Sequence, residues 1–246
     1  MKLHRFYCKN ITQPTVELIG QEARHIKNVY RLDRGAEVEL FDGLGSLATG
    51  KISFLANNKI ILDIQDVKVF ERPNVSKIII APSVPKGDRF DWLIAKCTEL
   101  SVDRIMPIIC ERTVKTSHNP KILDRWENLA IAAAKQCKRL FLPKIEGPLV
   151  LDEAIKSLRI DAPKSNLLFG SLDIDSRCII GQNLISNDCA AIIGPEGGFT
   201  DKEIDLLKSA NGKPVYLTDT ILRVETAALT FAAILSVERT AQQKFK

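Results

Sequence analysis

The chain has 246 residues, 45% of them hydrophobic and 26% charged, which is enough to bury a sizeable core in one large or two small domains. No apolar run approaches the roughly 20 residues needed to span a bilayer, and the N-terminal stretch lacks the apolar core of a signal peptide, so we expect a cytoplasmic protein with no membrane partner. The formal net charge is +5, and residues 73–145 carry most of the basic excess, as expected of a polyanion-binding face.

Short β-forming segments fill the first part of the chain. Segments that alternate or cluster β-formers between turns predict strands over residues 16–19, 37–41, 48–54 and 59–69. One or two helical turns over residues 22–29 would bring Arg24 and Lys27 together. The stretch ERPNVS near residues 71–76 interrupts the pattern, so we predict a small β-barrel over residues 1–72.

The rest of the chain, residues 73–246, alternates strands with helices. Short apolar strands are predicted over residues 77–81, 104–109, 166–170, 190–193 and 215–217. This alternation is typical of an α/β domain with a largely parallel sheet. A helix over residues 88–100 places five apolar side chains at core spacing: Phe90, Leu93, Ile94, Cys97 and Leu100. A final alanine-rich helix over residues 225–239 would allow close packing against a second subunit.

A helix that begins near Asn119 and Pro120 carries the best basic cluster. Asn and Pro are favoured at a helix start, and four residues at helical spacing form the apolar face: Trp126, Leu129, Ala133 and Cys137. Lys135, Lys138 and Arg139 would form one cationic patch at the C-terminal end, where the helix dipole favours cations. The patch could contact phosphates or could be a solvated helix end.

A glycine-rich loop follows the predicted strand over residues 190–193. Thr200 with Glu203 three residues later predicts a capping box at the next helix start. Gly194, Gly197 and Gly198 would let backbone amides approach a ligand closely. The loop could also be a plain connection. It lacks the Gly-Lys-Ser/Thr ending of a phosphate loop and is not G-x-G-x-x-G, which disfavours an NTPase, a kinase or a dinucleotide enzyme.

Cysteine and histidine usage argues against a disulfide framework and a metal centre. The six cysteines lack C-x-x-C spacing, so reduced thiols are expected. The three histidines, His4, His25 and His118, are dispersed without an i, i+4 partner, so we predict no metal site.

Six motifs spread over nearly the whole chain resemble those of one enzyme family. They are Arg5, KCTELSV at 96–102, ERTV at 111–114, AAAKQCKR at 132–139, GPEGGF at 194–199 and ILRVETA at 221–227. In this order they are similar to the RsmE family, which methylates N3 of a uridine in the decoding region of 16S ribosomal RNA. The resemblance implies a PUA-like β-barrel over residues 1–72, a SPOUT methyltransferase domain with a C-terminal trefoil knot over residues 73–246, and a homodimer.

The resemblance also implies site residues for the cofactor S-adenosylmethionine and for the reaction. Three loops would hold the cofactor: Leu168, Phe169, Gly170, Ser171; Ile193, Gly194, Pro195, Glu196, Gly197, Gly198; and Leu217, Thr218, Ile221, Leu222. Glu225 could accept the N3 proton and Arg223 could stabilise charge on the uracil oxygens. Alternatively, Arg223 and Glu225 pair to fix the loop, and Glu196 organises its own loop.

The expected partner is 16S rRNA in the small ribosomal subunit, with the target base unstacked to reach the pocket. Six basic residues are candidates for gripping phosphates: Arg5, Arg24, Arg31, Lys135, Lys138 and Arg139.

This sequence departs from the family pattern in three places. Ser101 and Lys138 stand where glycine is common, and residues 218–220, Thr-Asp-Thr, replace a usual Gly-Pro-Arg-like stretch. These residues leave two alternatives open. One is a non-catalytic rRNA-binding or ribosome-assembly factor, and the other is a SPOUT methyltransferase that acts on a different nucleotide.

Overall fold

The computed structural model describes residues 3–85, 88–113, 121–182 and 184–244. Four residues named above lie outside these ranges: Val114, His118, Asn119 and Pro120. The chain divides into two compact units. Unit 1 comprises Met1–Pro73 together with Ile131–Leu142, and unit 2 comprises Asn74–Ala130 and Pro143–Lys246. The sequence placed residues 131–142 in the second domain, whereas they cluster with the first unit.

Unit 1 contains a five-stranded sheet in the order β1-β3-β4-β5-β2. Its strands are β1 His4–Tyr7, β2 Thr15–Ile19, β3 Glu37–Phe41, β4 Ser46–Leu55 and β5 Lys59–Val69. The β1–β3 pair is parallel and the other pairs are antiparallel. Four of the five strands were predicted from β-forming residues. The fifth, β1, is too short and too polar to produce that signal.

The sheet of unit 1 buries one face and exposes the other. Alternate residues on each strand point to the same face, and they form the core with the short helix α1, Gly20–Arg24, and the π-helical turn His25–Val29 that continues it. The buried set includes Phe6, Val16, Leu18, Ile26, Val38, Leu40, Ile52, Ile60 and Leu62. These helical turns confirm the prediction made for residues 22–29.

Unit 2 is built on a seven-stranded parallel sheet in the order β12-β14-β11-β13-β6-β7-β9. Its strands are β6 Ile78–Pro82, β7 Arg104–Ile105, β9 Lys144–Ile145, β11 Asn166–Gly170, β12 Arg177–Cys178, β13 Cys189–Ile193 and β14 Lys213–Tyr216. A separate two-stranded parallel sheet pairs β8 Ile108–Ile109 with β10 Leu149–Val150. The predicted α/β architecture is therefore confirmed.

One strand prediction was wrong. The stretch 104–109 forms two short strands rather than one, with Met106 and Pro107 between them. Pro107 lacks a backbone N–H and cannot continue a ladder, so β7 stays in the large sheet while β8 pairs elsewhere.

Unit 2 contains the helices α2 Arg89–Glu99, α4 Leu151–Asp161, α5 Asp201–Ser209 and α6 Val224–Lys244, and α3 Ile122–Cys137 begins in unit 2 and ends in unit 1. Helix α6 packs against β6 and β13, and α4 and α5 share a buried cluster with the same two strands. The predicted core positions of α2 are buried except Leu100, which is half-buried at its C-cap. The buried side of α3 consists of Trp126, Ala130, Ala133 and Ala134. Leu129 and Cys137, predicted for that side, are only half-buried.

Within the described ranges, no helix is both long enough and apolar enough to cross a membrane. The trefoil knot implied by the resemblance stays a prediction.

Three helices end on a residue in the left-handed backbone conformation that is not glycine. Ser101 has φ 60°, Lys138 φ 63° and Asn211 φ 58°. At each end the following amide bonds back five residues, as in a Schellman motif: Val102 to Cys97, Arg139 to Ala134 and Gly212 to Leu207, at 3.0, 3.1 and 2.8 Å. Two of these positions, Ser101 and Lys138, are the ones at which the family pattern favours glycine.

Replacing Ser101 with glycine should stabilise the protein. A side chain in the left-handed region costs roughly 1–2 kcal/mol, and glycine's greater freedom in the unfolded chain offsets about half of that. Because the side chain of Ser101 is exposed, little else is lost. We expect Ser101→Gly to raise the free energy of unfolding by about 0.5–1 kcal/mol in urea titrations.

Lys138→Gly is the matched comparison. It relieves the same strain but removes an ammonium that donates to the Leu3 carbonyl and to Glu39, at 2.9 and 2.8 Å. We therefore expect it to destabilise the protein. Equal stabilisation by both variants would show that the Lys138 contacts contribute nothing.

Candidate functional site

The site lies at the carboxyl edge of the parallel sheet in unit 2. Strands β14, β11 and β13 are neighbours, and their registers align Gly170 with Val215 and Phe169 with Ile192. All three strands therefore end at nearly the same position along the sheet, and the loops that follow them begin side by side. Ligands of open α/β sheets bind at this edge, outside the carboxyl ends of the strands.

The three loops enclose a cavity of about 380 Å³, within the range of small-molecule sites. Every residue predicted for the cofactor lines it except Leu168. The lining ones are Phe169, Gly170, Ser171, Ile193, Gly194, Pro195, Glu196, Gly197, Gly198, Leu217, Thr218, Ile221 and Leu222. Three separate segments of the chain, of which the first and last are more than forty residues apart, thus meet around one space.

Leu168 does not line the cavity. It lies inside β11, two residues before the strand ends at Gly170, whereas Phe169 and Gly170 reach the cavity at that carboxyl end.

Sequence reasoning missed nine further residues of the wall. They are Leu172, Asp173, Phe199, Ile204, Val215, Tyr216, Thr220, Ala227 and Phe231. Two signals could have found some of them. Phe199 belongs to the glycine-loop motif itself, and Ala227 with Phe231 has the i, i+4 spacing of one helix face.

The glycine loop is shaped by close contacts and one left-handed residue. A Cβ added to Gly194 would lie 3.0 Å from the Phe199 ring, which itself packs edge-on against Phe169. Gly198 has φ 72°, a conformation that other residues rarely adopt. The loop therefore follows a path that side chains at these positions would disturb.

Residues 111–113 support the glycine loop and the helix that follows it through hydrogen bonds. Arg112 donates to the carbonyls of Gly197 and Phe199, at 2.7 and 3.3 Å. The Glu111 amide donates to Glu203 at 2.8 Å, and Thr113 hydrogen-bonds Ser83 at 2.8 Å. This motif is thus a support for the loop rather than part of the cavity wall.

The predicted capping box at the start of α5 is confirmed. Thr200 accepts from the Glu203 amide, and the Glu203 carboxylate accepts from the Thr200 amide at 2.8 Å. Nearby, burial and the neighbouring Glu203 carboxylate raise the pKa of the Cys110 thiol to about 12. Cys110 is therefore an uncharged core residue at neutral pH and not a nucleophile.

Three charged residues meet beside the glycine loop and the start of α6. Arg89 lies 3.7 Å from Glu196 (Nη1 to Oε1) and 3.8 Å from Glu225 (Nε to Oε1). The side chain of Glu225 is only 12% exposed, and its Oε2 is buried without a hydrogen-bond partner. The carboxylate lies in the first turn of α6, where the helix dipole favours negative charge.

Arg223 and Glu225 do not form the pair that was considered as an alternative. Within the described residues, the ion-pair partner of Glu225 is Arg89. Arg223 is exposed and directly precedes α6. Its side chain makes no hydrogen bond or ion pair with any residue that the structure describes. The guanidinium is therefore available to an incoming group.

The unusual stretch 218–220 forms its own local turn. The Thr218 hydroxyl donates to the carbonyl of Thr220 at 3.1 Å, and both residues line the cavity. Small hydroxyl side chains thus occupy the wall where the family pattern has glycine and arginine.

Two of the predicted RNA-binding residues of unit 1 remain on its surface. Arg24 and Arg31 are exposed, and Arg24 makes one long hydrogen bond to the Gly20 carbonyl, at 3.3 Å. Arg5 is different. Its side chain is 6% exposed and is bound to Glu39 at 2.9 Å and to the Lys138 carbonyl at 2.8 Å. Arg5 is therefore a structural residue of unit 1.

The predicted cationic patch on α3 was wrong. The helix ends at Cys137, and Lys138 takes a left-handed conformation, so Lys135, Lys138 and Arg139 do not share a helix face. Lys135 pairs with Glu22 at 2.6 Å and Lys138 pairs with Glu39 at 2.8 Å. Both lysine charges are compensated inside unit 1. Arg139 is half-buried just beyond the helix end.

Among the residues that the structure describes, no group of three or more His, Cys, Asp or Glu side chains could hold a metal ion.

Comparison with known proteins gives consistent matches over the whole chain. Residues 71–236 match the model of an RNA methyltransferase domain, and residues 18–65 match that of an RNA methyltransferase PUA domain. The ribosomal RNA small subunit methyltransferase E of Synechocystis is 30% identical over 89% of this chain and 72% of its own length. The enzyme of the same name from Bacillus subtilis is 26% identical over 92% and 91%.

Solved structures agree with this similarity. A Legionella pneumophila protein described as a methyltransferase, in complex with its bound cofactor SAM, has a TM-score of 0.87 and 30% identity, covering 96% of this chain and 98% of that one. A ribosomal RNA small subunit methyltransferase E from Neisseria gonorrhoeae, bound to S-adenosyl methionine, has a TM-score of 0.84 and 28% identity with the same coverage.

The network around Glu39 should make stability depend on pH. Burial raises the pKa of the Glu39 carboxyl, but hydrogen bonds from Lys138 and Arg5 outweigh burial and hold that pKa below its usual value. The stabilisation is therefore present above the unfolded-state pKa, about 4.3, and is lost as pH falls through the lower folded-state value. We expect Glu39→Gln to cost about 1.5–3 kcal/mol at pH 7, and this cost to shrink as pH falls below about 4.3.

Thermal unfolding between pH 3 and pH 8 checks this expectation. Glu37→Gln is the control, because Glu37 lies on the same strand but pairs with Lys51 at the surface, with both side chains 48% exposed. A Glu39→Gln deficit that stays constant with pH would refute the electrostatic origin.

Proposed function

Since the chain belongs to the ribosomal RNA small subunit methyltransferase E family, we propose that it transfers a methyl group from S-adenosylmethionine to N3 of a uridine in the 16S rRNA of the small ribosomal subunit. Methylation of small-subunit rRNA with this cofactor follows from the family. The uridine and its N3 position are the finer part of the proposal, together with the roles of individual residues. Because its proposed substrate is the small ribosomal subunit, we also propose that the protein acts in the cytoplasm.

One observation carries the proposal, namely the cavity under the three loops with a buried carboxylate beside it. The cavity fits the cofactor because its volume suits a ligand of that size and its apolar walls include Phe169, Ile193 and Ile221. At Gly198 a Cβ would meet open space, so the glycine loop leaves its backbone open to close approach there. Bound there, S-adenosylmethionine supplies an electrophilic methyl group on a sulfonium.

We assign proton removal to Glu225. Its Oε2 is buried and has no hydrogen-bond partner among the described residues, which is costly unless an incoming group provides one. A uracil N3–H is a donor of the right kind. Removal of that proton leaves a lone pair on N3 that can attack the methyl group, and the carboxylate then holds the proton.

Arg223 complements this role. Loss of the N3 proton spreads negative charge onto the two uracil oxygens. The exposed guanidinium of Arg223, two residues from Glu225, has donors free to stabilise that charge. The remaining task of the chain is to align the base and exclude water, and the apolar side chain of Ile221, 86% exposed at the rim, is suited to this.

Recognition of RNA falls to exposed basic and aromatic residues of unit 1. Arg24 and Arg31 flank a segment that also exposes Val29 and Tyr30. Guanidinium groups suit phosphates, and an exposed aromatic ring suits an unstacked base. We keep Arg24 and Arg31 as RNA contacts and not Arg5, Lys135 or Lys138, whose charges are already compensated.

We also propose a homodimer. Unit 2 exposes large apolar side chains that a solitary subunit would leave in water: Leu172, Ile174, Ile180, Ile221 and Val237. Sedimentation equilibrium should give twice the 27.4 kDa chain mass. A single-chain mass at micromolar concentration would refute the dimer.

The function is tested with small ribosomal subunits purified from cells that lack this modification. The protein is incubated with methyl-labelled S-adenosylmethionine, and the rRNA is digested for nucleoside mass spectrometry. We expect 3-methyluridine. Another labelled nucleoside would identify a methyltransferase of different specificity. No label together with no calorimetric binding of the cofactor would favour a non-catalytic rRNA-binding factor.

Binding of the cofactor should depend on Gly198 in particular. Gly198 and Gly181 both have left-handed φ angles, 72° and 84°, and a Cβ at either would meet open space. Only Gly198 lines the cavity. Alanine at either position should cost about 1 kcal/mol of stability, but only Gly198→Ala should weaken S-adenosylmethionine binding, by roughly 5–10-fold in calorimetry. Equal affinities would remove the glycine loop from the cofactor site.

The roles proposed for Glu225 and Arg223 predict different losses of kcat when each residue is replaced. Glu225→Gln keeps the size of the side chain but cannot accept the proton, so kcat should fall roughly 100-fold or more. Arg223→Ala should lower kcat by roughly 10–100-fold because a donor to the uracil oxygens is lost. Cofactor affinity should change less than threefold in both, since neither partner is the cofactor. Wild-type turnover by either variant would remove that residue from the reaction.

A further inference from the structure

Arg89 lies between two carboxylates that belong to different parts of the site. Glu196 is on the glycine loop and is half exposed, whereas Glu225 is at the start of α6 and is mostly buried. Arg89 itself is the first residue of α2 and is 43% exposed. One guanidinium therefore links the start of α2 to two elements that lie more than a hundred residues later in the chain.

The distances show what kind of link this is. At 3.7 and 3.8 Å, both contacts are ion pairs without a hydrogen bond, so the attraction is electrostatic and weakly directional. The contact with Glu225 is at Oε1, and the partnerless oxygen is Oε2. Arg89 thus acts on one oxygen of the carboxylate and leaves the other, buried oxygen without a hydrogen-bond partner.

We propose that Arg89 is a positioning residue that holds the Glu225 carboxylate in place through Oε1, with Oε2 directed to the reacting base. The proposal rests on the function assigned above to Glu225. Within the described residues, Arg89 is the cation paired with this mostly buried carboxylate, whose other oxygen has no hydrogen-bond partner.

The bridge to Glu196 adds a second consequence. Glu196 lines the cavity, so the loop that contacts the cofactor and the carboxylate that contacts the base share one counter-ion. Arg89 also separates two like charges that would otherwise disfavour each other near the cavity. It thereby joins the two halves of the site without being part of the cavity wall.

The test compares Arg89→Gln and Arg89→Lys with Arg125→Gln as the matched control. Arg125 is an exposed arginine that pairs with Asp88 and Asp91 at the start of the same helix, away from the cavity. We expect Arg89→Gln to lower kcat at saturating RNA by roughly tenfold or more, with KM for RNA changed less than threefold. Arg125→Gln should stay within about twofold of the parent.

Two further results separate positioning from a merely structural role. Because the contacts lack hydrogen-bond geometry, a lysine should serve nearly as well as an arginine, and Arg89→Lys should recover most of kcat. The double variant Arg89→Gln/Glu225→Gln should be no slower than Glu225→Gln alone, because Arg89 acts through Glu225. Melting temperatures of all variants should match the parent within a few degrees.

Several outcomes would overturn the proposal. Unchanged kcat in Arg89→Gln would do so, as would losses that multiply in the double variant or a failure of lysine to rescue. The proposed function fails separately, when Glu225→Gln retains wild-type turnover or when the parent transfers no methyl group to rRNA. A slow Glu225→Gln beside a fully active Arg89→Gln would reject the role of Arg89 alone.

Discussion

The candidate site depends above all on the parallel register of β14, β11 and β13. Strands β11 and β13 are buried on both faces, and a one-residue slip would turn every side chain to the opposite face. Phe169 would then leave the cavity and Leu168 would enter it. The register is fixed by packing across the whole sheet. The three loops therefore lie side by side even without contacts among their own side chains. A ligand site made of weakly structured loops thereby acquires a rigid base.

Local features of this protein could be predicted from the sequence, and features made by distant residues could not. The capping box at Thr200 and Glu203 and the strand Asn166–Gly170 depend on neighbours a few residues away, and both were found. The cavity walls needed the family resemblance, because nothing in the spacing says that residues 170, 194 and 217 meet. The link between Arg89 and Glu225 joins residues 136 positions apart, with no local pattern to reveal it.

The error at Lys138 shows how a local rule can fail. The basic patch on α3 was read from helical spacing, which holds only while the helix continues. The helix stops one residue earlier, and the family preference for glycine at this position was the available signal of a left-handed stop. Lysine takes that strained conformation here, and its ammonium donates to Glu39 and to the carbonyl of Leu3, just before β1. At Ser101 the carbonyl of the strained residue accepts instead from Arg239, at 2.6 Å.

Unit 1 is discontinuous in the chain, because Ile131–Leu142 joins Met1–Pro73. Two lysines bind this second segment to the first. Lys135 pairs with Glu22, and Lys138 pairs with Glu39 and accepts a hydrogen bond from Arg5 at its carbonyl. On the ribosome, the first 73 residues emerge well before that segment does. Unit 1 therefore cannot be complete until more than half of the polypeptide has been synthesised. Its acidic groups Glu22 and Glu39 stay without their lysine partners until then, so the unit whose synthesis begins first cannot be completed until Ile131–Leu142 has been made.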